Sequence, residues 1–463
     1  MSSIVLLIVG LSAFLTGYRF YSKFIAQRIY QLDPEFKTPA HEFEDGVDFV
    51  PTNKHVLFGH HFTSVAGAAP IVGPAIAVIW GWLPAFLWVV IGTIFAGAVH
   101  DFGTLWISTR HRANSIGTLA ETLVGGRARV LFLLIIFFLL SLVNAVFAVV
   151  IANRFIGSPG AVVPVWGTLI IAVVVGILIY RTRVGILWPS IGALLLIYVL
   201  IWLGQYLPFE LPDMFGFSAT QAQIAAAQGD LSTAAAAARI DGVRAGWIMI
   251  LFVYAFFASV LPVWLLLQPR DYINSHQLFV ALGIISLGVL ITNPEVIAPA
   301  VNHNLPADAP SWFPLLFITI ACGAISGFHG LVASGTSSKQ LNKETDARYV
   351  GYGGMLGEGT LAVTSILATT AGFAVFVGVD GWHQHYGSWA SASAGATTAF
   401  VNGVGVIAEG VGLPHQVAVI FAAVVVIRVA ATTMDTGMRL QRYIIAERGA
   451  QSRVKIVQDR WVA

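Results

Sequence analysis

The chain has 463 residues, 57% of them hydrophobic and 10% charged, against about 25% charged in an average soluble domain. No soluble fold of this length needs so much apolar surface, so the composition excludes a water-solvated globule and fits an all-α bundle in lipid. A net charge of +2 decides little, and the single cysteine, Cys322, excludes an intramolecular disulfide.

A bilayer-crossing helix needs about 20 apolar residues. The first such run covers 4–21; with no basic region before it and no small-residue cleavage site, it reads as a retained span, not a signal peptide. Ten more follow at roughly 62–82, 84–107, 129–152, 162–180, 186–204, 246–268, 276–293, 312–335, 351–378 and 414–434. Gly81-Trp82-Leu83-Pro84 turns the chain between the second and third. If the N-terminus is outside, the inner loops and the tail after 436 hold 21 of the 25 Lys and Arg. This is the bias that the positive-inside rule requires. The outer loops hold Arg154, Arg239 and Arg244, and Arg428 lies inside the last span.

Two segments fall outside this pattern. The outer loop 205–245 carries an Ala-rich stretch, Thr220 to Arg239, expected to be a helix over the outer face, as a spacer or a gate. Residues 394–412 are moderately apolar, but a twelfth span there would put the basic tail outside, so they are expected to be re-entrant or peripheral.

With the first span and its inner loop (1–61) set aside, ten spans remain. Five begin inside at 62 (62–204) and five begin outside at 246 (246–436), and 437–463 forms an inner tail. An odd number per half gives opposite orientations, the inverted repeat common among secondary transporters, with the site at the repeat interface. The first helix of each half is then expected to be interrupted. In the first half, Gly67, Pro70, Gly73 and Pro74 fall at mid-membrane depth. Proline removes a donor and clashes with the preceding turn, and glycine tolerates unwound backbone. Backbone freed at that depth survives where it lines a cavity or binds something, and half-helix N-termini favour anionic groups. His61, Ser64, Ala66, Gly67, Ala68 and Gly73 are therefore substrate-binding candidates; the alternative is a tightly packed proline kink. In the second half only Ser259 and Pro262 mark a break, with Ser259 the candidate.

Ionisable residues within spans are functional candidates by default. His100 and Asp101 are adjacent, so they are expected to point to different helix faces and to form no simple pair. Asp101 is a coupling candidate or an anchor for Arg110 or Arg112. His329, between Gly327 and Gly330, is a titratable site or a packed histidine. Ser334, Thr336 and Ser337 offer oxygens for a sodium ion or form a polar helix end. Glu358 is a candidate proton carrier or an interfacial partner of Lys343 and Arg348. Arg428 suits a substrate carboxylate. Asp435, seven residues on, shares its helix face and is a coupling candidate or an anchor for Arg439. Asn144 and Asn153 can bond to substrate or across helices. His60 and His61 diverge on a helix, so no metal is expected. No phosphate-binding glycine loop appears, which argues against ATP-driven transport. No cofactor, nucleic-acid partner or enzymatic constellation is expected.

Several strings resemble the carbon starvation protein A family of bacterial peptide and pyruvate transporters. They are Gly59–Pro74 (GHHFTSVAGAAPIVGP), Gly97–Arg112 (GAVHDFGTLWISTRHR), Gln268–Asn274 (QPRDYIN), Cys322–Leu341 (CGAISGFHGLVASGTSSKQL) and Thr432–Glu447 (TTMDTGMRLQRYIIAE). Familiar members are longer at the C-terminal end. The resemblance implies a five-plus-five inverted repeat with broken helices, of the amino acid–polyamine–cation type, in the bacterial inner membrane. It also implies uptake of peptides or pyruvate under nutrient limitation. The expected activity is cation-coupled import of short peptides or small carboxylates, with a proton favoured over sodium. The alternative is a membrane sensor of nutrient state with vestigial transport.

Overall fold

A computed structural model describes the chain except for Val124, Arg183, Ile186, 214–230, 452–455, 457, 458, 460 and 463. The described residues form an all-α polytopic bundle with no strand beyond two isolated bridges. Eight helices are long and apolar enough to cross a membrane, and a bent pair makes up to nine. In chain order the elements are α1 (Ser3–Ile29), the pair α2 (Lys54–Val65) and α3 (Ala69–Trp80), α4 (Trp82–Arg110), α5 (Arg129–Gly157) and α6 (Pro159–Arg181). Then come α7 (Leu187–Gly204), α8 (Leu231–Val260), α9 (Leu267–Thr292), α10 (Trp312–Thr319), α11 (Ala321–Ala324) and α12 (Gly327–Gly335). The last are α13 (Glu344–His385), α14 (Trp389–Glu409) and α15 (His415–Gln451). The two expected spans absent from the long-helix set are the shorter α7 and the segmented stretch α10–α12.

The outer surface of α5 shows what the bundle packs against. Leu131, Ile135, Phe138, Leu142, Val146 and Val149 are exposed at three- and four-residue spacing, while Leu133, Ile136, Leu140, Phe147 and Ile151 of the same helix are buried. An apolar stripe turned outward suits hydrocarbon, where every backbone group is already satisfied within its helix.

Contacts define two rims. At one, the Met1 amine donates to Val296 O, Trp80 Nε1 donates to Pro310 O, and Asp308 accepts from the backbone of Trp389 and Ala390. At the other, Asp33 N donates to Glu344, Val263 N to Val47 O, and Ser115 Oγ to Glu447. Helix α14 starts against Trp80, with the Trp80 and Trp389 rings 5.1 Å apart. It ends where a Cβ on Gly410 would meet Thr292, so both of its ends lie toward the first rim. The first part of the Ala-rich segment lies outside the described residues; from Leu231 onward the chain is already α8. The expected 246–268 span is divided: α8 ends at Val260, and after the turn at Leu261–Leu266 the helix α9 begins at Leu267.

Some helices contain wide π turns. Thr93–Gly97 lies in α4, and Arg348–Tyr352 and Ala368–Gly372 lie in α13.

Candidate functional site

The chain breaks at Ala66-Gly67-Ala68, between α2 and α3, with a bend of 45°. Pro70 falls in the first turn of α3, where its missing N–H costs nothing, and Pro74 follows inside the half-helix. Hydroxyls from neighbouring helices satisfy the freed backbone. Thr433 Oγ1 donates to Ser64 O at 3.0 Å and Ser365 Oγ to Ile71 O at 2.6 Å. Ser64 Oγ lies 3.0 Å from Thr436 Oγ1. A Cβ on Gly67 would come within 2.8 Å of Thr433 Oγ1 and 3.0 Å of Phe147 Cζ.

A second break lies in 312–335, not at 257–262. Ile320 leaves the helical region, and Ile325 and Ser326 are extended (φ −159° and −130°). Gly73 of α3 crosses this segment so closely that a Cβ would overlap the Thr319 carbonyl oxygen. Ser259, expected to complete the site, instead donates to Phe256 O one turn back at the end of α8, near Ala258 and Leu261, whose carbonyls accept from Arg439. The sequence signal there was a helix end, not a break within a span.

Beside the second break, three ionisable groups meet with no exposure. His329 Nδ1 lies 2.9 Å from Asp101 Oδ2, and Nε2 lies 3.0 Å from Glu358 Oε2. Asp101 Oδ1 also contacts His100 Nδ1 at 3.0 Å, so these neighbours do pair, their side chains curling together from adjacent positions. Asp101 does not reach Arg110, whose guanidinium is held by Glu344. Glu358 is equally far from its expected interfacial role, since Arg348 binds Ser22 and Tyr18 O. The Glu358–His329 approach is out of line for a hydrogen bond, and both Glu358 oxygens lack a hydrogen-bond partner among the described residues. Cys322 Sγ stands 3.7 Å from His329 Nε2, and the thiol, imidazole and carboxylate donor atoms fall within 4.8 Å of one another. That set has the chemistry of a zinc-type ligand group. However, Nε2 and Oε2 are in direct contact, closer than the roughly 3.3 Å separating two ligands with ~2.0 Å bonds to a tetrahedral ion.

The hydroxyls of 334–338 bond mostly to their own helix end. Ser334, Thr336 and Ser338 donate to the carbonyls four residues back, and Ser108 Oγ adds a contact at 3.0 Å from Ser338 Oγ. Ser337 Oγ instead meets His61 Nδ1 at 2.9 Å, and Thr336 Oγ1 lies 3.4 Å from His60 Nε2, so the first half-helix sits against this segment.

A second buried network begins at His60. Its Nδ1 contacts Asp271 Oδ2 at 2.7 Å, Asp271 Oδ1 accepts from Arg270, and Arg270 also bonds Tyr254 and Asp435. Tyr254 donates to Asp435 at 2.5 Å. Asp435 therefore anchors Arg270, while Arg439 reaches Asp48 at 2.7 Å, a contact that four-residue helical spacing did not anticipate. Arg428 donates to Gln277 and Asn274. Asn144 Nδ2 lies 3.2 Å from Gln441 Oε1, and Asn153 accepts from Arg244. His60, Tyr254, Arg270 and Asp271 were missed as site residues. Their signal was an Arg-Asp pair opening an apolar helix, read only as part of a loop.

Outside the spans, Asp48 accepts from Arg439, Arg442 and Tyr443. Burial works to raise its pKa, but Arg439, Arg442 and Lys339, with the Tyr443 hydrogen bond, hold it below the usual carboxylate range. Burial pushes the Lys339 ammonium down to about 8, with Asp48 and Glu447 opposing.

The family described as carbon starvation protein CstA matches residues 2–380. The chain is 37% identical over 380 residues to the pyruvate/proton symporter BtsT of Escherichia coli (strain K12), covering 80% of this chain and 49% of that protein. It is 38% identical over 369 residues to the peptide transporter CstA of Mycobacterium tuberculosis (strain ATCC 25618 / H37Rv), covering 76% and 44%. With the peptide transporter CstA of Bacillus subtilis (strain 168) it shares 34% identity over 380 residues, covering 80% and 58%. The chain thus spans about half the length of the curated relatives it matches, and no solved structure matches it. The Asp101–His329–Glu358 and broken-helix segments fall inside the matched region, and the chain belongs to the carbon starvation protein CstA family.

Proposed function

We propose that this chain is a secondary transporter that couples import of a short peptide or a small carboxylate to proton entry. The observation that carries the reading is the Asp101–His329–Glu358 chain, wholly buried beside two helices broken at membrane depth. Two carboxylates around one imidazole in a dry interior leave the number of bound protons as the variable that sets the local charge. Broken helices supply backbone groups to a substrate at the same depth. Ser64, Ala66, Gly67, Ala68 and His61 are the substrate candidates at the first break, with Gly73 setting how closely the broken helices cross. Asn144 and Arg428 are the candidates on the facing helices α5 and α15.

Proton coupling agrees with the name of one relative, the pyruvate/proton symporter BtsT. The hydroxyls of Ser334 and Thr336 donate to their own helix carbonyls and keep their lone pairs, so sodium is the alternative that the uptake test must separate from the proton. The break in α10–α12 falls in the third span of the second half and not in its first, so it does not pair with the α2–α3 break as a five-plus-five repeat requires. The chain is read as lying in the bacterial inner membrane with its N-terminus outside.

The test is uptake into proteoliposomes under an imposed pH gradient, with a sodium gradient in parallel. Absence of uptake of pyruvate, related carboxylates and dipeptides under both gradients would end the reading; uptake under sodium alone would move the coupling ion.

A further inference from the structure

Cys322 and His329 stand seven residues apart, which in one continuous helix would separate them by roughly 10 Å of rise. The break between α11 and α12 removes that distance. Ile325 and Ser326 are extended, and Cys322 Sγ comes to 3.7 Å from His329 Nε2. Two close crossings bring in the other groups. A Cβ on Gly97 of α4 would overlap the Ala324 carbonyl oxygen, and one on Gly323 would lie 2.9 Å from Ala362 Cβ of α13. Helix α4 thus carries Asp101, and α13 carries Glu358, to the two nitrogens of the same imidazole.

A sulfur, a nitrogen and a carboxylate oxygen meet there within 4.8 Å of one another. With bonds of about 2.3 Å from sulfur and 2.0 Å from nitrogen, a tetrahedral ion separates those two ligands by roughly 3.5 Å. The Sγ–Nε2 distance is already close to that. The Nε2–Oε2 contact of 3.0 Å has to open by about 0.3 Å. Glu358 is free to turn, because both of its oxygens are buried with no hydrogen-bond partner among the described residues. His329 is not free, since Asp101 Oδ2 holds its Nδ1 at 2.9 Å. A carboxylate on the second ring nitrogen is the usual mounting of a metal-binding histidine, because it fixes the tautomer that leaves the other nitrogen to the ion.

We propose that Cys322, His329 and Glu358 bind a divalent thiophilic ion of the zinc type, with Asp101 as the positioning residue behind the imidazole. Sulfur and nitrogen donors suit zinc rather than calcium or magnesium, which take oxygen ligands. Three protein ligands leave a fourth tetrahedral position for water. His329 and Glu358 have no exposure, while Cys322 is only partly buried and offers the ion a way in. The exchange balances in charge: one divalent ion enters and two protons leave, one from the Cys322 thiol and one from the His329–Glu358 pair. The ion is a visitor that uptake does not require. On the carrier reading, it and the coupling proton exclude each other, but binding itself is measurable without transport.

The experiment titrates the purified full chain in nanodiscs with cobalt(II), using zinc as competitor. Cys322 is the only cysteine of the chain, so a thiolate-to-cobalt absorption band can arise at this site alone. The band is expected in the wild type, together with the strong visible absorption of a tetrahedral ion, and is expected to vanish when zinc is added. Cys322→Ser is expected to lose it. Asp101→Asn is expected to keep the thiol and weaken the ion about 10–100-fold, and Glu358→Gln at least as much. Thermal unfolding without metal shows separately whether a variant has a folding defect. Zinc is also expected to slow alkylation of Cys322 in the wild type and not, at equal concentration, in Glu358→Gln. Absence of the thiolate band from the wild type, or equal cobalt affinity in Glu358→Gln, overturns the proposal. A bound ion that leaves proteoliposome uptake untouched upholds this site and removes Glu358 from the proton path. A bound ion in a chain that moves nothing upholds the site and removes the carrier reading.

Discussion

Gly73 and Thr319 touch backbone to backbone, and a Cβ at Gly73 would overlap the Thr319 carbonyl oxygen. The crossing of the two broken segments therefore depends on a residue without a side chain. Gly73→Ala forces them apart, an overpacking that costs about 1–3 kcal/mol. Uptake is expected to fall to background while membrane insertion stays normal. Gly67→Ala is expected to be milder, because its neighbours are the Thr433 hydroxyl and the edge of the Phe147 ring, which can shift. Full uptake by Gly73→Ala would show that the crossing is not part of the working site.

Glu358→Gln keeps the volume and removes one charge from the His329 cluster. Accumulation driven by a pH gradient is expected to disappear, while substrate exchange across the membrane without a gradient continues. Asp101→Asn is expected to do more harm, because it also releases His329 Nδ1; losing one partner of a buried pair costs about 3–5 kcal/mol. Comparing driven uptake with exchange separates the two effects. Unimpaired accumulation in Glu358→Gln would remove that carboxylate from the proton path.

The clasp around Asp48 has a pH dependence of known sign. The folded pKa of Asp48 is held below the usual carboxylate range, so its stabilisation is complete above the unfolded pKa of about 4. It is lost as pH falls through the folded value. Lys339 has the same sign in a higher window: its ammonium is disfavoured in the fold, so stability rises as pH increases above about 8. Asp48→Asn is expected to lower the unfolding temperature at neutral pH, by a loss near the lower end of about 3–5 kcal/mol because the site is slightly exposed. Lys339→Met is expected to abolish the gain seen between pH 8 and about 10. Thermal unfolding across pH reads both outcomes.

Cys322→Ser is expected to be silent in uptake. Its thiol is 3.7 Å from His329, a weak contact, and the imidazole is already flanked by Asp101 and Glu358. Loss of uptake in this variant, restored by no other thiol, would instead favour a metal held by Cys322, His329 and Glu358.

Much of the bundle was legible because lipid imposes its solvent on the sequence. Long apolar runs, the basic loops and the Gly67–Pro74 cluster each correspond to elements in the fold. Tertiary pairing was less visible. Asp101, His329 and Glu358 were singled out one by one, yet nothing in their spacing says that residues 228 positions apart share a hydrogen bond. Local geometry misled in two places. Adjacent His100 and Asp101 do pair, because side chains bend while helix faces do not. Asp435 turned to Arg270 on α9, although Arg439 stands one turn away on its own helix. Arg270 and Asp271 stand in the Gln268–Asn274 string, yet neither was given a site role, because a charged pair beside Pro269 looks like a loop. Their burial follows from three-dimensional neighbours: Asp435 gives Arg270 a counter-charge and the His60 ring contacts Asp271.

The π turns give the carboxylates an unusual mounting. Thr93–Gly97 precedes Asp101 by four residues, and Arg348–Tyr352 and Ala368–Gly372 bracket Glu358. A wide turn holds one surplus residue in the hydrogen-bond ladder, and moving that surplus along the helix rotates the intervening stretch by about 100°, the angle of one residue in a 3.6-residue turn. Glu358 is thus mounted on a length of helix bounded at both ends by a wide turn, and the direction it faces is set by where those two surplus residues lie. For Asp101 a single wide turn on one side sets the facing in the same way.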